Sequence, residues 1–149
     1  KGYRSKSTPF GLIEIPINPL ALAITQGATF VAQSFAGDLN HMVEMIKAGI
    51  NHRGFSLINI LQPCVTFNKI NTYQYYLKRV YKLTDDYRKD NKKLAIEKAL
   101  ESEDEKFPLG IIYQKIKPTF TDQLSQIKKQ TLINKERFTN YQEIIKEFV

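Results

Sequence analysis

Polar and glycine positions divide the first apolar residues of the chain into a predicted helix and a predicted strand. Asn18-Pro19 is typical of a helix start, because an Asn side chain caps free backbone amides and proline is tolerated at the first helical position. The apolar segment 20–26 predicts a short helix, and Gly27 is placed to end it. Residues 28–35 then predict a buried strand.

A second capping residue, a second helical segment and a second helix-ending glycine follow immediately. Asp38 is the expected cap of a second helix that reaches about Asn51, and Gly54 ends it. The apolar positions of this helix recur at helical spacing at Leu39, Met42, Val43, Ile46 and Ile50. Residues 55–61 are almost continuously apolar, which is typical of a strand buried on both faces of a parallel sheet. Residues 18–62 therefore predict helix–strand–helix–strand, with parallel strands and a right-handed crossover.

The remainder of the chain predicts longer helices and one short strand, and residues 1–18 predict an extended lead-in. The later predicted elements are a helix from Thr72 to about Leu83 capped by Asn71, a helix over 84–103 that starts at Asp85-Asp86, a strand over 108–113 and a helix over 121–148. The fold class predicted from these patterns is α/β, with half of a parallel sheet.

Composition limits the function classes. The 149 residues suffice for a domain with one core, and no apolar run reaches the roughly 20 residues needed to cross a bilayer. The single cysteine excludes an intrachain disulfide and a zinc site built from several thiolates of this chain, and it fits a reducing, cytoplasmic compartment. The net charge of +7 is compatible with nucleic acid, phosphate ligands or an acidic protein, or with a solvated lysine-rich surface.

Cys64 is the principal candidate for chemistry. It follows the second predicted strand through Pro63, and ligands of open α/β sheets bind beyond the carboxyl ends of the strands. Pro63 stops the strand ladder and would hold a thiol rigidly at that edge. The alternative is a small buried apolar residue, which is how most free cysteines behave.

Other residue types offer less. His41 and His52 lie at opposite ends of one predicted helix, too far apart to share a metal ion, and no carboxylate pair, phosphate-binding glycine loop or nucleophile elbow is present, so no catalytic residue is assigned. The aromatic and basic residues of 73–82 could stack on bases and contact phosphates, or form the packing face of an amphipathic helix.

Several segments together closely resemble the thiamine-diphosphate-binding beta subunit of the 2-oxoacid:ferredoxin oxidoreductases. They are residues 16–24, 27–32, 35–38, 61–68, 71–72, 79–81 and 108–111. The resemblance implies that residues 1–113 are the C-terminal half of a thiamine-diphosphate-binding parallel-sheet domain and that residues 114–149 are a helical tail. Gln33 departs from the family, which often has Arg there, so a polar contact expected from that Arg is in doubt.

The family resemblance also implies an activity and its cofactors. The expected reaction is the oxidative decarboxylation of a 2-oxoacid, pyruvate or 2-oxoglutarate, with coenzyme A to acyl-CoA, carbon dioxide and reduced ferredoxin. The implied cofactors are thiamine diphosphate, Mg²⁺ and a [4Fe–4S] cluster, and Cys64 is the implied fourth cluster ligand. The implied partners are an alpha subunit, or alpha with gamma and delta subunits, and ferredoxin, with no nucleic acid and no membrane.

The family's other cluster cysteines and its diphosphate and Mg²⁺ motifs precede the position that corresponds to Lys1. The resemblance therefore predicts that this chain alone neither holds a cluster nor binds thiamine diphosphate tightly. The alternative is a non-catalytic module whose basic helices, including Lys92 and Lys93, dock a partner subunit or acidic ferredoxin.

Overall fold

A computed structural model of the chain describes residues 3–4, 8–134 and 140–148. The chain divides into two compact units, Lys1–Lys117 and Pro118–Val149. No helix of the described residues is long and apolar enough to cross a membrane.

The first part of unit one has the predicted order of helices and strands. Asn18 caps the first helix by accepting from the Ala21 amide at 3.0 Å, and Asp38 caps the second by accepting from the His41 amide at 3.1 Å. Because these caps are local bonds between neighbouring residues, the sequence pattern is sufficient to predict them. The elements are α1 (Pro19–Thr25), β1 (Phe30–Phe35), α2 (Leu39–Asn51) and β2 (Ser56–Leu61).

The segment after residue 71 differs from the single helix predicted there. The helix α3 (Tyr73–Leu77) is short, and the strand β3 (Val80–Lys82) follows it. The helix stops because Val80–Lys82 pairs in parallel with β4 (Phe107–Gln114), a strand distant in sequence. Its cap is Thr72, which accepts from the Tyr75 amide at 3.3 Å, so the prediction of an Asn71 cap is wrong.

The helix predicted over 84–103 begins later than expected. Asp85 and Asp86 lie in a turn, and α4 (Lys92–Leu100) starts behind Asn91, which accepts from two backbone amides and so caps it. The intervening segment is held against β4, because the Tyr87 hydroxyl donates to the Ile112 carbonyl oxygen at 2.9 Å. A 3₁₀ turn (Glu101–Asp104) continues α4.

The strands form a sheet in the order β2-β1-β4-β3, and the α/β class is confirmed. The β1–β2 and β3–β4 pairs are parallel, as predicted for the first pair, whereas β4 runs antiparallel to β1. All six residues of β1 are buried, but every residue of β2 is only half-buried. The prediction that β2 is buried on both faces is wrong for the described residues, because β2 lies at an edge with one neighbouring strand.

Helices cover both faces of the central strand. Val31 packs with α1 and α4, and the alternate residues Phe30 and Ser34 face α2 through His52 and His41. The buried residues on the α1 and α4 side are Leu20, Ala23, Ile24, Ala28, Val31, Ala95, Ala99, Ile112 and Tyr113. This packing fixes the direction of the carboxyl ends of β1 and β2.

The second unit contains short helices where one helix was predicted over 121–148. They are α5 (Phe120–Gln123), a 3₁₀ turn (Leu132–Asn134) and α6 (Tyr141–Lys146). Thr119 and Asp122 form a reciprocal capping box at the start of α5, and Asn140 caps α6, so each helix has its own start. The part of the predicted helix at 135–139 lies outside the described residues.

Candidate functional site

Cys64 lies just beyond the carboxyl end of β2, in the position predicted from the sequence. The Ala36 amide donates to the Leu61 carbonyl oxygen at 3.1 Å, so the ends of β1 and β2 are tied together. Pro63 is buried, whereas Cys64 is exposed and its thiol is free. Its exposure excludes the alternative of a buried apolar cysteine.

The residues after Cys64 form a closed turn that is held by Asn68. The Asn68 amide donates to the Cys64 carbonyl oxygen at 2.8 Å. Asn68 Oδ1 accepts from the Ile70 and Asn71 amides, both at 2.9 Å, and Lys69 Nζ donates to the Val65 carbonyl oxygen. Asn68 therefore bonds the backbone on both sides of the turn. Its backbone amide bonds Cys64, and its side chain bonds Ile70 and Asn71.

The turn also has a fixed connection to the end of β1. Asn68 Nδ2 donates to Asn71 Oδ1 at 2.9 Å, directly before the Thr72 cap of α3. On α3, the rings of Tyr73 and Tyr76 lie 5.7 Å and 5.9 Å from the ring of Phe35, the last residue of β1. Cys64 is thus displayed between a strand end and a packed helix.

Each histidine is hydrogen-bonded to a hydroxyl side chain in β1 or directly before it. His41 is buried, and its Nδ1 lies 2.8 Å from the Ser34 hydroxyl oxygen. Burial, and secondly the Lys82 ammonium, lower the pKa of His41. His52 Nε2 lies 2.9 Å from the Thr29 hydroxyl oxygen, and its ring packs on Phe30.

Within residues 3–4, 8–134 and 140–148, no group of three or more His, Cys, Asp or Glu side chains could hold a metal ion. Cys64 contributes a single thiolate donor. Iron–sulfur clusters are held by several cysteine thiolates, so Cys64 has the right chemistry for one ligand of a cluster but cannot form the site alone.

Gln33 has a polar environment that the sequence pattern did not reveal. It is buried, its Nε2 donates to the Pro108 carbonyl oxygen at 2.9 Å, and its Oε1 accepts from Asn59 Nδ2 at 2.8 Å. Gln33 and Asn59 line a cavity of about 690 Å³ together with residues 15–20, Leu61, Asn71, Tyr76 and Phe107. A glutamine in a buried, mostly apolar strand is the sequence feature that indicates such a pair.

The aromatic and basic stretch 73–82 is largely engaged in internal contacts. The Arg79 guanidinium lies 3.9 Å from the Tyr75 ring centroid, and its Nη2 pairs with Glu105 at 2.9 Å. Tyr81 and Glu101 share a hydrogen bond, and Lys98 donates to both side chains. These contacts favour a packing role over nucleic-acid binding.

Comparison with known proteins identifies relatives of the chain. Residues 64–129 match the family described as the C-terminal part of the pyruvate ferredoxin oxidoreductase beta subunit. The 2-oxoacid:ferredoxin oxidoreductase beta subunit of Sulfolobus sp. is 40% identical over 136 residues, which are 83% of this chain and 44% of that protein. The beta subunit from Saccharolobus solfataricus is 44% identical over 124 residues, which are 76% of this chain and 40% of that protein.

A solved structure shows the same fold. It is the 2-oxoglutarate:ferredoxin oxidoreductase from Magnetococcus marinus with 2-oxoglutarate, coenzyme A and succinyl-CoA bound. The TM-score is 0.82 at 34% sequence identity, and the match covers 98% of this chain and 49% of that chain. The chain spans less than half the length of the two curated relatives. From the sequence and fold matches together, the chain belongs to the beta-subunit family of the 2-oxoacid:ferredoxin oxidoreductases.

Proposed function

We propose that this chain is part of the beta subunit of an oxidoreductase that converts 2-oxoglutarate or pyruvate, with coenzyme A, to acyl-CoA, carbon dioxide and reduced ferredoxin. In this reaction the bond between the carboxyl and keto carbons breaks and carbon dioxide leaves. The S–H bond of coenzyme A breaks, its proton is released, and a thioester bond forms to the coenzyme A sulfur. The electron pair leaves as two single electrons that reduce ferredoxin. The observation that carries the proposal is the exposed Cys64 thiol on its clamped turn at the end of β2.

The role proposed for Cys64 is that of one ligand to a [4Fe–4S] cluster. Bound there, such a cluster would supply one-electron transfer to ferredoxin. Cys64 is the single cysteine of the chain, so the remaining thiolates must come from segments that the longer relatives possess. The residues for thiamine diphosphate and Mg²⁺ are assigned to those segments too. The proposal places the enzyme in the cytoplasm with an alpha subunit, or with alpha, gamma and delta subunits.

The test uses the full-length subunit in its complete complex. Cys64→Ala should abolish or degrade the iron–sulfur EPR signal and the reduction of ferredoxin, because an alanine offers no donor to iron. Thr66→Ala, at an exposed position on the same turn, is the matched control and should retain both. An unchanged cluster signal in Cys64→Ala would reject the assignment.

A second candidate function is docking of ferredoxin or a partner subunit, without activity of the module itself. Lys92 and Lys93 are both exposed in the first turn of α4. Cations there oppose the helix dipole, so they do not stabilise the helix and favour a role in contacts to an acidic partner.

Docking predicts a steep salt dependence of ferredoxin binding, because exposed charge pairs are screened by salt. Lys92→Gln with Lys93→Gln should flatten that dependence. Lys47→Gln with Lys115→Gln removes equal charge from exposed positions elsewhere in the same unit and should leave it steep. Equal slopes for the two double variants would exclude docking at α4.

A further inference from the structure

Asn68 joins the turn that displays Cys64 to the segment that leads into α3. Asn68 combines a backbone bond to Cys64 with three side-chain bonds to Ile70 and Asn71, all between 2.8 Å and 2.9 Å. Asn68 is half-buried, whereas Cys64 is exposed. Because the oxygen and the nitrogen of its side-chain amide both bond residues of the same loop, Asn68 stabilises that loop.

The bonds of Asn68 fix the backbone of Cys64 relative to two packed elements. One end of the turn leaves β2 through the buried Pro63, and the other end enters α3 at the Thr72 cap. Without the Asn68 side chain, the Ile70 and Asn71 amides lose their acceptor. The start of α3 is then no longer tied to residue 68, whose backbone amide bonds Cys64. The backbone bond between the residue 68 amide and the Cys64 carbonyl oxygen would remain, but the turn would lose its attachment to the start of α3, so the turn and the Cys64 thiol on it would be freer to move relative to α3.

We propose that Asn68 is a positioning residue, which holds the Cys64 thiol in the orientation needed to ligate the iron–sulfur cluster. This inference rests on the proposed function. Asn68 acts through the backbone and contacts no iron. Groups that orient a metal ligand in this way contribute to metal retention, and their loss typically reduces metal affinity or activity about 10–100-fold.

The test compares variants of the full-length subunit in its complete complex. In Asn68→Ala the half-life of the cluster in air should fall about tenfold, and the EPR line shape of the reduced cluster should change. Asn68→Asp keeps an oxygen acceptor for the Ile70 and Asn71 amides and should restore most of the half-life. Its added negative charge should lower the midpoint potential, since nearby charge tunes iron–sulfur potentials.

Asn91→Ala is the matched control. Asn91 Oδ1 also accepts from two backbone amides, those of Lys93 and Leu94, at the start of α4. Its loss should lower the thermal unfolding temperature of the subunit, because a helix cap is removed, without changing the cluster half-life or the EPR line shape. A cluster that is equally labile in Asn91→Ala and Asn68→Ala would show that general destabilisation is the cause and would overturn the proposal.

Two further outcomes separate this inference from the proposed function. If Cys64→Ala loses the cluster while Asn68→Ala keeps wild-type half-life and line shape, the positioning role alone is rejected. If Cys64→Ala keeps the cluster, the proposed function itself fails. Should Asn68→Ala not assemble, Asn68→Leu also removes the acceptor at a similar side-chain size, and an assembled Leu variant with a wild-type cluster half-life would equally reject positioning by Asn68.

Discussion

Gln33 in the central strand β1 donates a hydrogen bond from Nε2 to the Pro108 carbonyl oxygen in β4, at 2.9 Å. The acceptor of the same amide is used by Asn59 of β2, so one side chain connects three neighbouring strands. Gln33 is only 2% exposed, and buried polar groups stabilise a fold only when their bonds are made. This chain therefore connects the three strands through a neutral amide.

Gln33→Leu should therefore destabilise the full-length subunit by about 1–3 kcal/mol, because the carbonyl of the buried Pro108 and the side-chain amide of Asn59 each lose a hydrogen-bond partner. The free energy of unfolding from urea denaturation measures this. Gln74→Leu, at an exposed position of α3, should change it by no more than about 0.5 kcal/mol. Equal effects of the two substitutions would contradict a role of the Gln33 amide.

The lowered pKa of His41 predicts that the folded chain loses stability in mild acid. Burial first, and then the Lys82 ammonium, lower the pKa of His41 below its ordinary value of 6.5, against weaker opposite effects of Asp38 and Glu44. Below that value the unfolded chain binds a proton that the folded chain does not. The contribution of neutral, buried His41 to the free energy of unfolding is fully present above about pH 6.5 and is lost as the pH falls toward the pKa of His41 in the folded chain.

The measurement is urea unfolding of the full-length subunit and of its His41→Asn variant between about pH 7.5 and pH 5. The wild type should lose more stability than the variant over this range, because Asn cannot be protonated there and can still bond Ser34. Parallel pH profiles for the two proteins would contradict the assignment to His41.

Asp38 has two contacts that substitutions can separate. Its carboxylate caps α2 and also pairs with Lys82 at 2.8 Å, and this bond with Lys82 is the largest cause of its lowered pKa. Asp38→Ala should lower the free energy of unfolding by about 1 kcal/mol through loss of the cap. Asp38→Asn keeps a capping oxygen, and Lys82→Ala removes only an exposed ion pair, so each should cost about 0–1 kcal/mol. An Asn variant as unstable as the Ala variant would assign the effect to the ion pair instead.

Gly54 and Gly27 allow backbone strain to be distinguished from a steric clash. Both have positive φ, 148° and 93°. A Cβ at Gly54 would lie 2.3 Å from the Thr29 hydroxyl oxygen, whereas a Cβ at Gly27 would meet nothing within 4 Å. Gly27→Ala should cost about 1–2 kcal/mol of strain, and Gly54→Ala about 1–3 kcal/mol more, because Thr29 is already bonded to His52 and Phe55. Thermal unfolding of both variants tests the difference, and equal losses would show that Thr29 moves freely.

Local chemistry accounts for the parts of the fold that the sequence predicts well. Asn18 and Asp38 each bond an amide three residues ahead, so their helices could be predicted without tertiary information. β3 could not, because three residues are too few for an alternating pattern and Val80 finds its partner at Phe107. Asn71 and Thr72 are adjacent cap candidates, and the choice depends on Asn71 Oδ1 being used by Asn68.

The candidate site likewise has one part that the sequence predicts and another that only the folded structure reveals. Cys64 could be located from the apolar strand and Pro63 before it, because a strand end and a proline are local features. The clamp of Asn68 could be found only in the folded turn, although Asn68 and Asn71 at a spacing of three residues are compatible with side-chain-bonded turns. The bonds of Gln33 depend on β4, which joins β1 from a segment 75 residues away.

The position of β4 between β1 and β3 has a consequence for biosynthesis. The β1–α2–β2 unit consists of neighbours in sequence and can form as soon as it leaves the ribosome, whereas β1 acquires its second neighbour only when residue 114 has emerged. Until then β1, the most buried strand among the described residues, has one open side. The nascent chain therefore passes through a stage in which β1 is available to chaperones or to misfolding, and slower translation across residues 62–106 would prolong it.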